Sequence, residues 1–141
     1  MTTIAYHHES KTIAVDSRIC RHDIVQSDSF SKVIERGDVR LILCGIAEDM
    51  ELFADLYTGV KSSDLIPDCY GVAIDDGVIY SVCLSEDGNV LKMKCQYNEA
   101  HGSGERFALS AMDHGKGAKE AVEYAMTRDI YTGGEIRVIQ L

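Results

Sequence analysis

The chain has 141 residues, enough for one domain with a real core, and its apolar (45%) and charged (26%) fractions are those of an ordinary globular protein. A net charge of −9 with no cluster of Lys and Arg excludes nucleic acid and anionic membrane as main partners, because phosphate neutralisation needs concentrated positive charge. No apolar run is long enough to cross a bilayer and the N-terminus lacks the basic and apolar regions of a signal peptide, so the expected location is cytoplasmic, where Cys20, Cys44, Cys69, Cys83 and Cys95, which form no C-x-x-C pair, would be reduced and mostly buried.

Residues 3–8 alternate as a strand, Glu9-Ser10-Lys11 is a turn, and Thr12 to Val15 resume β character before Asp16-Ser17-Arg18, which together predict an antiparallel hairpin. Residues 19–31 are polar and mixed, a loop or short strands. A short strand is expected over 30–34, a turn at Gly37-Asp38, and a buried strand over 39–44 closed by Gly45. The period then changes. Met50, Phe53, Ala54 and Tyr57 fall at i, i+3, i+4 and i+7, an amphipathic helix over 47–57, with acids in its first turn and Gly59 as its stop. A loop over 60–68 holds the only proline. Three strands follow over 69–74, 78–84 and 90–95, joined by Asp- and Gly-rich turns. His101-Gly102-Ser103-Gly104 opens a second helix to about residue 112. Residues 113–117 are a tight connection, a third helix carries Ala118, Ala121, Val122, Ala125 and Met126 on one face, and a last strand covers 135–139. Strands with segregated helices predict an α+β fold of antiparallel sheets, and no repeat or linker divides residues 1–141 into more than a single domain.

The chemistry centres on the first residues. Thr2 follows Met1 directly and precedes the first strand. With Met1 removed, Thr2 carries an α-amine and a hydroxyl together. Such an amine has a reference pKa of about 7.7–8.0, so much of it is neutral near pH 7 and can take the hydroxyl proton as the oxygen attacks a carbonyl. Met-Thr is also a common way for any chain to begin. No metal site is expected: His7 and His8 are adjacent on a strand and point to opposite faces, and His22, His101 and His114 have no ligand spacing with a cysteine. Gly115-x-Gly117 is a turn rather than a phosphate loop, since no strand precedes it.

Separate pieces of the chain resemble one family in the same order. The hairpin Thr2 to Tyr6 with Ile13 to Arg18 is similar to the start of mature proteasome β subunits and of the bacterial HslV peptidase. Ser31-Lys32-Val33 resembles the strand carrying that family's lysine, and Cys44-Gly45-Ile46-Ala47 its glycine turn before a helix. Gly102-Ser103-Gly104 matches the Gly-Ser-Gly helix start. Arg128-Asp129-Ile130-Tyr131-Thr132-Gly133-Gly134 is similar to the family's Arg-Asp-x-Tyr-Ser-Gly-Gly segment, with Thr for Ser.

The resemblance implies a four-layer α-β-β-α sandwich of N-terminal nucleophile hydrolase type and a threonine peptidase. In it Thr2 would be the nucleophile, Lys32 the charge beside its hydroxyl, and Asp16 the partner of Lys32. The N–H of Gly45 would be the oxyanion donor, and Ser103, Asp129 and Thr132 would orient the Thr2 amine. Ile19, Phe30 and Ile34 would line an apolar P1 pocket. No cofactor is implied. The implied partners are a polypeptide substrate and further copies of the chain in a ring or helical array, with an ATPase unfoldase as in HslV. Three departures stand out. The first hairpin is two residues shorter than the family's, which preserves strand parity and leads us to expect Thr2 and Asp16 to face one site. The family's second long helix is missing between Gly59 and Asp68, and no pro-segment is visible, so exposure of Thr2 would need removal of Met1 alone. The alternatives are a non-catalytic assembly subunit and a small-molecule amidase of the same fold. For the individual residues, Asp16 as a hairpin end, Lys32 as a solvated strand residue, Ser103 as an N-cap and Asp129 with Thr132 as a turn are the competing structural roles.

Overall fold

The computed structural model describes residues 1–60 and 64–141. Its internal contacts group the chain into two compact units, residues 1–32 with 96–141, and residues 33–95.

The first unit holds an antiparallel sheet of β1 (Thr3–His7), β2 (Thr12–Val15), β10 (Glu99–Gly102) and β11 (Arg137–Gln140), in the order β10-β1-β2-β11. Ile4 pairs with Val15 and His7 with Thr12, while Thr3 pairs with Gly102 on the other side, so β1 is the centre of the sheet with β2. Two helices, α2 (Glu105–Asp113) and α3 (Ala118–Met126), pack on one face. The seam is built from small residues: Ala5 and Ala14 of the sheet meet Ala108, Ala111, Ala118, Ala121 and Ala125, with Val122 and Met112 filling the gaps. Alanine lets helix backbones approach the sheet closely, and each buried CH₂ still contributes about 0.8 kcal/mol. A separate two-stranded hairpin, β3 (Ile19–Arg21) with β4 (Ile24–Ser27), occupies the stretch whose mixed sequence left loop and short strands equally open.

The second unit is a five-stranded antiparallel meander in chain order: β5 (Val33–Arg36), β6 (Val39–Gly45), β7 (Cys69–Asp75), β8 (Val78–Leu84) and β9 (Val90–Lys94). A 3₁₀ turn over Ala47–Asp49 leads into α1 (Met50–Thr58), which packs on β5 and β6 through Met50, Phe53 and Ala54. Gly59 ends α1 in the left-handed conformation at φ 71°, a backbone that glycine takes without cost. No described residue between Gly59 and Cys69 is helical; residues 61–63 of the expected loop lie outside the described residues. Near the far end of the sheet, the Tyr57 hydroxyl donates to Asp75 Oδ2 at 2.9 Å, and Lys92 Nζ lies 4.6 Å from the Tyr80 ring centroid. Burial and the adjacent carboxylate both push the Tyr57 phenol up.

Three elements differ from the sequence reading. Glu99–Gly102 is a strand, where His101 and Gly102 were expected to open the second helix, the strand expected over 30–34 begins at Val33, and the last strand is Arg137–Gln140. The segment 99–102 has no β-branched or aromatic residue; its extended form comes from pairing with β1, which overrides local propensity.

Cys44, Cys69 and Cys95 are buried and Cys83 is exposed. Burial, reinforced by Asp49 and Asp68, pushes the Cys69 thiol up to about 12. Alkylation of the native protein near pH 8 should therefore mark Cys83 and leave Cys69 unmodified until the chain is unfolded, since the thiolate is the reactive form; peptide mass mapping reads the result.

Candidate active site

Asp16 follows β2 with its side chain fully buried, and Lys32 is 2% exposed. Two charges so placed need dense compensation. Asp16 Oδ1 accepts from Lys32 Nζ at 2.8 Å and from the Thr3 N–H at 3.0 Å. Its Oδ2 accepts from the Gly133 N–H at 3.0 Å and the Arg18 N–H at 3.3 Å. Lys32 Nζ also donates to the Met1 carbonyl oxygen at 3.0 Å, which sets an ammonium against the peptide group that joins Met1 to Thr2. Thr2 itself is 1% exposed.

A second carboxylate, Asp129, lies just before Gly133 in the loop after α3. After α3 ends, the Asp129 N–H donates to Ala125 O and the Thr132 N–H to Asp129 O, closing a turn. Asp129 Oδ1 accepts from the Tyr131 N–H at 3.1 Å, the Asx arrangement expected of a turn aspartate. Its Oδ2 accepts from Ser103 Oγ and Thr132 Oγ1, both at 2.6 Å. Ser103 Oγ also lies 3.3 Å from the Thr2 carbonyl oxygen. The turn role and the site role of Asp129 are thus carried by different oxygens.

The flanking glycines explain how Ser103 gets there. Gly102 has φ +101°, and a Cβ on it would stand 1.9 Å from the Thr2 carbonyl oxygen. A Cβ on Gly104 would stand 2.1 Å from Thr3 Oγ1. Only with hydrogen at both positions can this segment press against Thr2-Thr3 and turn its serine inward.

Of the residues singled out in the sequence, the structure gathers Thr2, Asp16, Lys32, Ser103, Asp129 and Thr132 in the first unit. Ile19 begins β3, and Phe30 donates its N–H to Ser17 O. Gly45 and Ile34 belong to the second unit. Gly45 has φ +115°, and a Cβ there would stand 2.2 Å from Asp68 O, so the position admits no other residue without a shift. One expectation changes. The β1–β2 register sets Ile4 opposite Val15, and the Asp16 N–H donates to Thr3 O, so Asp16 faces Thr3 rather than Thr2 across the ladder. Asp16 is tied to the Thr2 peptide through Lys32, not by strand parity.

Two contributors carried no signal of their own in the sequence. Arg18 pairs with Asp28 through Nε–Oδ1 at 2.8 Å and Nη2–Oδ2 at 3.1 Å, and donates to Ile130 O at 3.0 Å. That pairing raises the guanidinium and lowers the Asp28 carboxyl. Thr3 is fully buried, and its Oγ1 lies 2.6 Å from Thr132 Oγ1. Both residues sit in the quoted hairpin motif, but only the packing reveals what they touch. His7 bonds Ser10 and His8 bonds Tyr6. Among the described residues, no group of three or more His, Cys, Asp or Glu side chains is placed to hold a metal ion, and no helix is long and apolar enough to cross a membrane.

Comparison with solved structures gives matches over the whole chain. Thiobacillus denitrificans BPH superposes with a TM-score of 0.70 at 16% identity, covering 100% of this chain and 98% of that one. The same BPH in complex with epoxomicin gives 0.69 at 17% identity, covering 99% of each. Eukaryotic HslV from Trypanosoma brucei gives 0.68 at 18% identity, covering 99% of this chain and 100% of that one. The fold is that of HslV. No family model matches the chain, and no curated protein matches it in sequence. The HslV fold is thus present at an identity where the fold alone is shared.

Lys32→Ala would leave the Asp16 carboxylate buried without its cation, and should lower the unfolding free energy by about 3–5 kcal/mol. Adding Asp16→Ala to Lys32→Ala should recover part of that loss, since no unpaired charge then remains; urea denaturation of the three variants reads both effects.

Proposed function

We propose that this chain is a threonine peptidase whose nucleophile is Thr2, exposed by removal of Met1, acting on extended polypeptide within a homo-oligomeric ring or helical array in the cytoplasm. The observation that carries the reading is the buried Lys32 ammonium, paired with Asp16 and 3.0 Å from the Met1 carbonyl, directly beside the nitrogen of Thr2. A buried cation at that place has a use if an alkoxide develops on Thr2, because it favours the negative form.

In this reading the free Thr2 amine takes the Thr2 hydroxyl proton while Oγ attacks the scissile carbonyl carbon. The tetrahedral oxyanion would need a backbone N–H as donor. Collapse breaks the C–N bond, the proton passes to the leaving amine, and an ester on Thr2 remains. Water, activated by the same amine, then hydrolyses the ester. Ser103 has one hydroxyl proton, and the 2.6 Å bond to the Asp129 carboxylate takes it. Its lone pairs are left to accept from the amine of Thr2. An ATPase unfoldase would serve such a site by feeding it unfolded chain. Apolar Ile19 and Phe30 would favour apolar P1 side chains.

A second reading turns on the fate of Met1. With Met1 attached, the Thr2 nitrogen is an amide, its carbonyl is held by Lys32, and it cannot act as a base. A chain that keeps Met1 in the cell would be a non-catalytic assembly subunit.

The intact mass of untagged protein separates the two. Loss of Met1, hydrolysis of an unfolded polypeptide in preference to small amides, and an epoxomicin adduct on the N-terminal peptide, as BPH of the same fold binds epoxomicin, are the expected results. Thr2→Ala should abolish hydrolysis and leave the oligomer size by light scattering unchanged. Retained Met1 with no turnover would move the assembly reading to the front.

A further inference from the structure

We infer that Thr3 is a positioning residue of this site, acting through Thr132. The inference deepens the peptidase reading and rests on it for its kinetic consequence.

The argument is one of proton count. A hydroxyl has a single proton. Thr132 Oγ1 lies 2.6 Å from Asp129 Oδ2, which can only accept, so the Thr132 proton points at Asp129. Thr132 Oγ1 also lies 2.6 Å from Thr3 Oγ1. With its own proton committed, Thr132 must accept there, and Thr3 must donate. The chain therefore runs Thr3 to Thr132 to Asp129 in one sense only. Thr3 is fully buried and Thr132 is 1% exposed, so water does not compete for these bonds. The α-carbon of Gly104 closes the remaining space: a Cβ there would be 2.1 Å from Thr3 Oγ1 and 3.1 Å from Thr132 Oγ1.

The main chain of Thr3 is held just as firmly. Its N–H donates to Asp16 Oδ1 at 3.0 Å, and its carbonyl accepts from the Asp16 N–H at 3.3 Å. Thr3 thus touches the Asp16 system with its backbone and the Asp129 system with its side chain. Thr2 is its covalent neighbour. Thr3 joins the two carboxylate systems next to Thr2, alongside the Gly133 N–H, which ties the loop after α3 to Asp16 Oδ2 at 3.0 Å. The Thr3 hydroxyl donates to Thr132 Oγ1 and so buttresses the side chain that shares Asp129 Oδ2 with Ser103.

The test uses the full chain with Met1 removed and verified by mass. Thr3→Val keeps the branched shape and removes the hydroxyl; Thr3→Ser keeps the hydroxyl. On an unfolded polypeptide substrate, Thr3→Val should lower kcat by about three- to tenfold, the worth of one net hydrogen bond, with KM little changed. Thr3→Ser should stay within about twofold of the wild type. Thr3→Val added to Thr132→Val should lower kcat no further than Thr132→Val alone, because Thr3 works through Thr132. Wild-type kcat in Thr3→Val, or an additive loss in the double variant, overturns the inference. Should the wild-type protein hydrolyse nothing, the peptidase reading fails, and proton NMR still decides the role of Thr3. The Thr132 hydroxyl proton, bonded to Asp129, should exchange slowly in wild type and Thr3→Ser and measurably faster in Thr3→Val, where Thr132 loses its buttress; unchanged exchange in Thr3→Val overturns the inference.

Discussion

The constraint on which the first unit depends is the burial of Asp16 with Lys32. Taking a carboxylate and an ammonium out of water costs several kcal/mol each, and their attraction offsets that only when the remaining lone pairs and protons are also satisfied. The chain meets this by bringing donors from separate segments to one carboxylate: the Thr3 N–H from β1, the Arg18 N–H from the residue beyond the hairpin, and the Gly133 N–H from the loop after α3. The first hairpin and the loop beyond α3 are over a hundred residues apart in sequence, and the buried charge holds them together. Gly133 is glycine for a reason on the same page: a Cβ there would stand 2.4 Å from the Arg18 guanidinium carbon. A purely structural sheet would gain more from apolar residues of the same volume, so the pair marks a place where stability is given up for something else.

The same economy governs Asp129. One oxygen closes its own turn on Tyr131, and the other collects two hydroxyls. The alanine seam beneath makes this possible. Ala125 precedes the turn and packs against the sheet, so α3 delivers Asp129 at the depth of β1 rather than above it. A larger residue at Ala125 would lift the helix end and draw Asp129 off Ser103. Packing of small residues thus sets the geometry of the polar groups.

Much of this was legible in the sequence, and the boundary is a physical one. Periodicity located α1, α3 and the β7–β9 meander, because those elements are amphipathic or bounded by Asp-Gly turns. Asp16, Lys32, Ser103, Asp129 and Thr132 stood out because the short segments that hold them resemble motifs of one family in the same order, a signal that lies in residue identity and spacing rather than in periodicity. What stayed hidden was whatever depends on pairing. Nothing in Glu99-Ala100-His101-Gly102 favours a strand until β1 is beside it. The hairpin 19–27 is short and exposed on much of its surface, so its sequence carries no alternation to read. Parity counted along the hairpin led us to expect Thr2 and Asp16 to face one site, but the register is set by pairing, and the ladder sets Asp16 opposite Thr3.

That shift bears on which threonine could be a nucleophile. Thr3 has its N–H on Asp16, its carbonyl in the hairpin ladder and its hydroxyl on Thr132, with no exposed surface. Making it an N-terminus would disturb the N–H bond to Asp16, and freeing its hydroxyl would break the chain to Asp129. Thr2 precedes β1, and what lies around it is of a different kind: an ammonium on the carbonyl before it and a serine at its own carbonyl. Removing Met1 would take away an acceptor from Lys32 and put a new amine in its place. That amine would stand between a cation that favours its neutral form and a serine whose proton is already spent on Asp129. Of the two threonines, Thr3 is held by backbone and side-chain bonds alike, which leaves Thr2 as the better candidate for a nucleophile.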